Sequence, residues 1–221
     1  SIILSTGAAY VPLDENLPDE RLSFMIQDAV TGCLIVSDDT QERAKKLAGD
    51  GITLFNISGI LKEDIGTLTE LTFTPGTIAS ILYTSGSTGI PKGVKITTGA
   101  VLNYTSFHLK KIPLLPGDVC ALYASIGFDV SMEVLFSVLS SGACMDIVPE
   151  EKKLDIHALN RHFVEHGVTQ AHLPAQMARL FIREIADTSL RDLVIGGEKL
   201  GRVRVDRDYR ITDTYGPTEA C

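Results

Sequence analysis

Residues 77–94 read TIASILYTSGSTGIPKGV, an apolar run that breaks directly into a loop of hydroxyls, glycines and one lysine. A run apolar at nearly every position suits a strand covered on both faces of a sheet. Working outward, similar short β-rich runs occur at 33–37, 52–57, 119–124, 143–148, 168–173 and 193–197. Candidate helices lie between them, at 18–29, 40–48, 98–110, 131–141, 155–166 and 175–185. The first carries Leu22, Met25, Ile26 and Ala29 on one face, with Pro18, Asp19 and Glu20 in its opening turn. Gly167 stands where a left-handed C-cap would end the helix at 155–166. This alternation predicts an α/β fold of mainly parallel sheets flanked by helices. Residues 59–75 are the weakest-patterned stretch and read as a connecting segment. They divide a first α/β subdomain, 1–58, from a second, 76–221.

Composition narrows the function. The 221 residues are 44% hydrophobic and 22% charged, which excludes disorder, collagen and coiled coil. A net charge of −8 gives no electrostatic support for nucleic acid or an anionic membrane surface, so neither partner is expected. No apolar stretch approaches the roughly 18–20 residues that span a bilayer. No basic segment precedes an apolar run at the N-terminus, so no signal peptide is expected. Cys33, Cys120, Cys144 and Cys221 form no CxxC pair, so reduced thiols and a cytoplasmic location are expected. The chain stops abruptly at Thr218-Glu219-Ala220-Cys221, the ending expected of a fragment.

The loop after the apolar run 77–84 carries chemistry. Glycines let backbone amides wrap an anion, hydroxyls donate to phosphate oxygens, and Lys92 adds a point charge. The spacing is not a Walker loop, because Pro91 and Val94 stand where Gly-Lys would begin. It is not GxGxxG either, since Thr88 occupies the second glycine position. A second segment, Thr212-Asp213-Thr214-Tyr215-Gly216-Pro217-Thr218-Glu219, places an aromatic face, a hydroxyl and a carboxylate around a Gly-Pro turn. Those three groups suit a nucleotide base, a phosphate and Mg2+.

Thr84–Val94 and Tyr215–Glu219 closely resemble two core motifs of adenylate-forming enzymes. Gly7-Ala8-Ala9-Tyr10-Val11-Pro12-Leu13-Asp14, Pro18-Asp19-Glu20-Arg21-Leu22 and Phe128-Asp129-Val130-Ser131 resemble the adenylation domains of nonribosomal peptide synthetases in particular. The resemblance implies that an amino-acid carboxylate attacks the α-phosphate of MgATP, giving an aminoacyl adenylate and pyrophosphate. The acyl group then passes to the phosphopantetheine thiol of a peptidyl carrier domain. By this resemblance Thr84, Ser85, Gly86, Ser87, Thr88, Gly89 and Lys92 hold the β/γ-phosphates. Gly197, Glu198 and Asp213 lie against adenine, and Tyr215 packs on it. Thr218 reaches phosphate and Glu219 binds Mg2+.

The same resemblance implies a substrate pocket. Asp129 pairs with the α-ammonium of the substrate, while Val130, Glu133, His172, Val194, Gly196 and Thr214 line the side-chain pocket. A carboxylate in an apolar pocket needs a cation or hydrogen bonds, which favours an amino acid over a fatty acid. Asp129 also fits a second reading, as the cap of the helix beginning near Ser131. Glu133 likewise has two readings: a reader of a basic or hydrogen-bond-donating side chain, or a structural acid if the helix is rotated by one residue. Asp213 and Thr98 depart from the family pattern, which commonly has Asn and His there.

The resemblance places the catalytic lysine in a C-terminal lobe beyond Cys221, so no catalytic residue is expected here. The remaining parts of the adenylation domain are then required partners, and the isolated chain is expected to be inactive. Two alternatives are a stand-alone amino-acid or aryl-acid activating ligase, and a non-catalytic nucleotide-binding or docking module. His162-Phe163-Val164-Glu165-His166 also fits HxxEH, a zinc-protease pattern. The sequence supplies no third ligand for it, and it reads as a partly exposed surface helix. His108 and His157 read as solvent-facing.

Overall fold

Each apolar run becomes a strand, and the segments between most of them become helices. The computed structural model describes residues 3–49, 51–60, 73–85, 90–198, 200–201 and 206–220. The chain parts into two compact units, Ser1–Gly99 and Ala100–Cys221.

In the first unit β1 (Cys33–Val36) pairs in parallel with β2 (Thr53–Asn56). Helices α1 (Asp19–Asp28) and α2 (Gln41–Ala48) supply apolar side chains to this small sheet, and a short α3 (Ile57–Ile60) follows β2. Ile26, Leu34 and Val36 are buried, with Leu13, Ala44, Leu47 and Leu54 packed against them. β1 is covered on one face only: Leu34 and Val36 point inward, while Cys33 and Ile35 face solvent.

β3 (Ile78–Thr84) departs from the parallel expectation. It forms an antiparallel hairpin with β4 (Lys92–Thr97), a strand that the sequence reading passes over because Pro91 and Gly93 disguise its start. The hairpin is tied to earlier residues. The Ile81 amide donates to the Tyr10 carbonyl at 3.0 Å, and the Tyr83 hydroxyl donates to Asp28 at 2.7 Å. These ties group residues 76–99 with what precedes them, so the compact units part after Gly99 and not within 59–75.

The second unit is a three-layer arrangement around a five-stranded, all-parallel sheet of order β6-β5-β7-β8-β9. Its strands are β5 (Val119–Leu122), β6 (Cys144–Ile147), β7 (Gln170–Pro174), β8 (Asp192–Gly196) and β9 (Arg210–Asp213). Its helices are α4 (Thr98–Lys111), which begins just inside the first unit, α5 (Asp129–Ser141), α6 (Ile156–His166) and α7 (Ala175–Glu184). Alternate strand residues face opposite layers. Ala121, Ala171, Leu173, Leu193 and Ile195 pack with Leu159, Phe163, Ala178, Phe181 and Ile182 of α6 and α7. Cys120 packs instead with Val134 and Val138 of α5. Burial pushes its thiol up to about 12, so it behaves as a small hydrophobe.

At the amino ends of the strands, the buried Asp192 carboxylate accepts from Arg191 Nε at 2.9 Å and Arg210 Nε at 2.5 Å. That pairing offsets the desolvation that an isolated carboxylate would suffer there. At the carboxyl ends the chain order reverses. From β5 the chain moves outward to β6, then returns to the other side of β5 as β7. Such a reversal leaves a crevice where ligands bind in open α/β sheets. No helix among the described residues is long and apolar enough to cross a membrane.

Asp155 caps α6, its carboxylate accepting from the His157 and Ala158 amides, and Gly167 ends the helix at φ 64°. A Cβ on Gly167 would meet nothing within 4 Å, so a substitution there acts through the backbone alone. Gly167→Ala is expected to destabilise the chain by about 1 kcal/mol in urea denaturation. No change would show that the left-handed turn carries no weight.

Candidate functional site

The crevice opens into a cavity of about 1080 Å3 lined by loops that leave the carboxyl ends of β5, β7, β8 and β9. Asp129 begins α5, directly after the β5 loop. One carboxylate oxygen accepts from the Val130 amide at 2.8 Å, and the other accepts from the Thr218 hydroxyl at 2.6 Å. The helix cap itself is Phe128, so Asp129 is not the cap but the first helical residue, favoured there by the helix dipole. A carboxylate has about four acceptor sites, so capacity remains for a ligand cation.

Glu133 lies four residues on, the spacing that shares a helix face. Its side chain is 6% exposed and lines the cavity, while Val134 turns into the core. The helix is therefore not rotated away from the site. Tyr104 donates its hydroxyl to Glu133 Oε2. His172 Nδ1 lies 3.1 Å from Oε1, and His108 Nδ1 lies 3.5 Å from the same oxygen. Burial pushes the Glu133 carboxyl upward, but hydrogen bonds and charge from His172, with His108 and Tyr104, outweigh it and hold the group below its ordinary value. Burial pushes His108 below its ordinary value, against the pull of Glu133.

A carboxylate can only accept, so His172 donates from Nδ1, and its other ring nitrogen, Nε2, is left as a polar atom for a further hydrogen bond. That atom is buried and has no hydrogen-bond partner among the described residues. The position beside it must be glycine: a Cβ on Gly196 would sit 2.7 Å from His172 Nε2 and 3.2 Å from Thr214 Oγ1. Thr214 is fixed in turn by donating to the Ile195 carbonyl at 2.9 Å.

Asp129, Val130, Glu133, His172, Gly196 and Thr214 all line the cavity, as do Gly197, Asp213 and Tyr215 of the expected nucleotide segment. Val194 does not. It is fully buried in β8, a strand flanked by β7 and β9 and covered on both faces. Glu198 and Glu219 are exposed and do not line the cavity, and Thr218 reaches the site through Asp129. In the first unit Thr84 and Lys92 face each other across the β3–β4 ladder and bracket the expected phosphate loop. Ser85 is exposed, and Gly86, Ser87, Thr88 and Gly89 lie outside the described residues.

Sequence reasoning missed Tyr104 and His108. His108 is buried, not solvent-facing, because α4 presents both rings to Glu133. Their separation of one helical turn, opposite an acid on another helix, is the signal that could have found them. His157, by contrast, is exposed as expected.

The acidic side of pH has a definite sign. His108 holds its proton less readily when folded, so the unfolded chain protonates first as pH falls below 6.5 and stability is lost. Glu133 adds a second loss, as pH falls below its ordinary 4.5 toward its folded value. The melting temperature is expected to fall between about pH 7.5 and about pH 5.5, and to fall less in His108→Gln. Equal slopes in both proteins would contradict this assignment.

Comparison with known proteins agrees with the geometry. The family profile described as AMP-binding enzyme matches residues 3–221. Surfactin synthase subunit 2 of Bacillus subtilis (strain 168) is 36% identical over 98% of this chain, which spans 6% of that protein. Bacitracin synthase 1 of Bacillus licheniformis is 35% identical over 98% of the chain, which spans 4% of it. Among solved structures, the nonribosomal peptide synthetase FmoA3 in its alpha-methyl-L-serine-AMP bound form superposes with a TM-score of 0.85 at 22% identity, covering 99% of this chain and 26% of that one. The N-terminal subdomain of Klebsiella oxytoca NpsA, in complex with 3-hydroxybenzoyl-AMSN, superposes with a TM-score of 0.77 at 22% identity, covering 98% and 55%.

Proposed function

The chain belongs to the AMP-binding enzyme family, and we propose that it carries the nucleotide- and amino-acid-binding region of a nonribosomal peptide synthetase adenylation domain. The observation that carries this reading is the Asp129–Thr218 hydrogen bond, which joins two motifs 89 residues apart at the cavity. The reaction is activation of an amino acid with MgATP to aminoacyl-AMP and pyrophosphate, for transfer to phosphopantetheine on a peptidyl carrier domain in the cytoplasm.

Asp129 binds the α-ammonium. This favours an amino acid over an aryl acid, which has no such group. The cavity's size and its glycines at 196, 197 and 216 fit a nucleotide beside an amino acid. Tyr215, 88% exposed at the rim, offers a face to adenine, next to Gly197, Glu198 and Asp213. Thr84, Ser85, Gly86, Ser87, Thr88, Gly89 and Lys92 are assigned to the β/γ-phosphates, and Thr218 is assigned a phosphate contact of its own. Glu219 holds Mg2+, an ion that commonly takes one or two carboxylates plus phosphate oxygens. Little acid–base chemistry is required of these residues. They position the carboxylate and neutralise phosphate charge.

The substrate side chain carries a hydrogen-bond donor, with lysine, ornithine, arginine and histidine the leading candidates. Two acids, Asp129 and Glu133, share one face of α5 and line the cavity, with the His172 ring beside Glu133. The proposed division into subdomains 1–58 and 76–221 joined by 59–75 differs from the compact units, which group the hairpin 78–97 with the residues before it.

The test is amino-acid-dependent ATP–pyrophosphate exchange by the complete parent polypeptide across a substrate panel. Exchange stimulated by a basic amino acid, and reduced at least about tenfold in His172→Phe, is the expected result. Exchange with an apolar amino acid would remove the side-chain reading and keep the reaction. No exchange with any member, from a folded parent that binds ATP, would overturn the reading.

A further inference from the structure

A second cluster of ligating side chains lies on α6, outside the cavity. His162 and His166 are one turn apart on the helix, with ring centroids 4.0 Å apart. Asp146 of β6, the edge strand of the sheet, reaches both. Its Oδ2 lies 2.6 Å from His162 Nε2, and its Oδ1 lies 2.6 Å from His166 Nδ1. The third group that the HxxEH pattern lacks in sequence is thus supplied by the fold.

We propose that Asp146, His162 and His166 form a binding site for a divalent transition metal of the zinc class, which clips α6 to the edge of the sheet. One ligand atom from each residue falls within 4.8 Å of the other two. A tetrahedral zinc site has Zn–N and Zn–O bonds of about 2.0–2.2 Å and so ligand atoms about 3.3 Å apart. From its present contacts the carboxylate needs to draw back from each ring by about 0.7 Å to admit the ion. Two imidazoles and one carboxylate suit zinc, cobalt or nickel, whereas Mg2+ and Ca2+ take oxygen ligands. His162 is buried and the Asp146 side chain is 11% exposed, so two ligands are held firmly. His166 is 47% exposed, which leaves a path for the ion and a fourth position for water.

Lys152 opposes the metal. Its Nζ lies 3.2 Å from His162 Nδ1, so the ammonium donates there and the ring proton sits on Nε2, donated to Asp146. A metal on Nε2 requires that proton to move to Nδ1, where an ammonium no longer has an acceptor. Lys152 is half-buried and must turn outward, and its charge repels the dication. Removing it strengthens the site.

The 221-residue chain would be titrated with Co2+, read by d–d absorption, and with Zn2+, read by calorimetry and thermal unfolding. Saturable binding of one equivalent is expected, with a higher melting temperature in Zn2+. His166→Ala, at an exposed position, weakens binding by at least about tenfold and abolishes the thermal shift. Lys152→Met tightens binding several-fold. Absence of saturable binding overturns the proposal. So does binding that His166→Ala leaves unchanged, which would place the ion elsewhere, for instance on the exposed thiols of Cys33 and Cys144.

Discussion

The second unit depends on one topological constraint, the reversal of chain order at β5. Because β6 and β7 leave β5 on opposite sides, their connections diverge and the carboxyl end of the sheet is left open there. α5 begins at that opening, so its first residue, Asp129, stands at the mouth with the helix dipole behind it. The loops after β8 and β9 close the other side. Thr218, near the end of the chain, reaches Asp129 and ties the last loop to the first helix.

A carboxylate as deeply buried as Glu133 costs several kcal/mol unless its lone pairs are met. Tyr104 and His172 meet them, with His108 close by, and the cluster has a directional consequence. Glu133 accepts from His172 Nδ1 and so orients the ring, whose Nε2 is buried and has no hydrogen-bond partner among the described residues. Gly196 leaves room for that ring, since a Cβ there would sit 2.7 Å from His172 Nε2. In the proposed function Glu133 acts on a ligand both by its charge and through the ring it orients. The amino ends of the strands show the contrasting case. There Asp192 is met by two arginines and presents nothing to a ligand.

Much of this was legible in the residues. Strands buried on both faces, such as β8, announce themselves by unbroken apolar runs. The ends of α6 were written in Asp155 and Gly167. β4 was not legible, because a strand opened by Pro-Lys-Gly gives no period-2 pattern until Val94. Nor was the position of Val194, which is sealed inside the sheet two residues before Gly196 reaches the site. The partners of Glu133 and the third member of the His162–His166 cluster come from other elements, Asp146 lying 16 residues before His162. Local spacing predicts what shares a helix face and says little about what packs against it.

The proposed function turns on recognition of an α-ammonium group by Asp129. The most direct measurement compares, on the complete parent polypeptide, ATP–pyrophosphate exchange with the preferred amino acid and with the same acid lacking its α-amino group. The des-amino acid is expected to be poorer by at least about tenfold, and Asp129→Ala to remove most of that preference. Equal exchange with both acids, or a preference that survives Asp129→Ala, would contradict it.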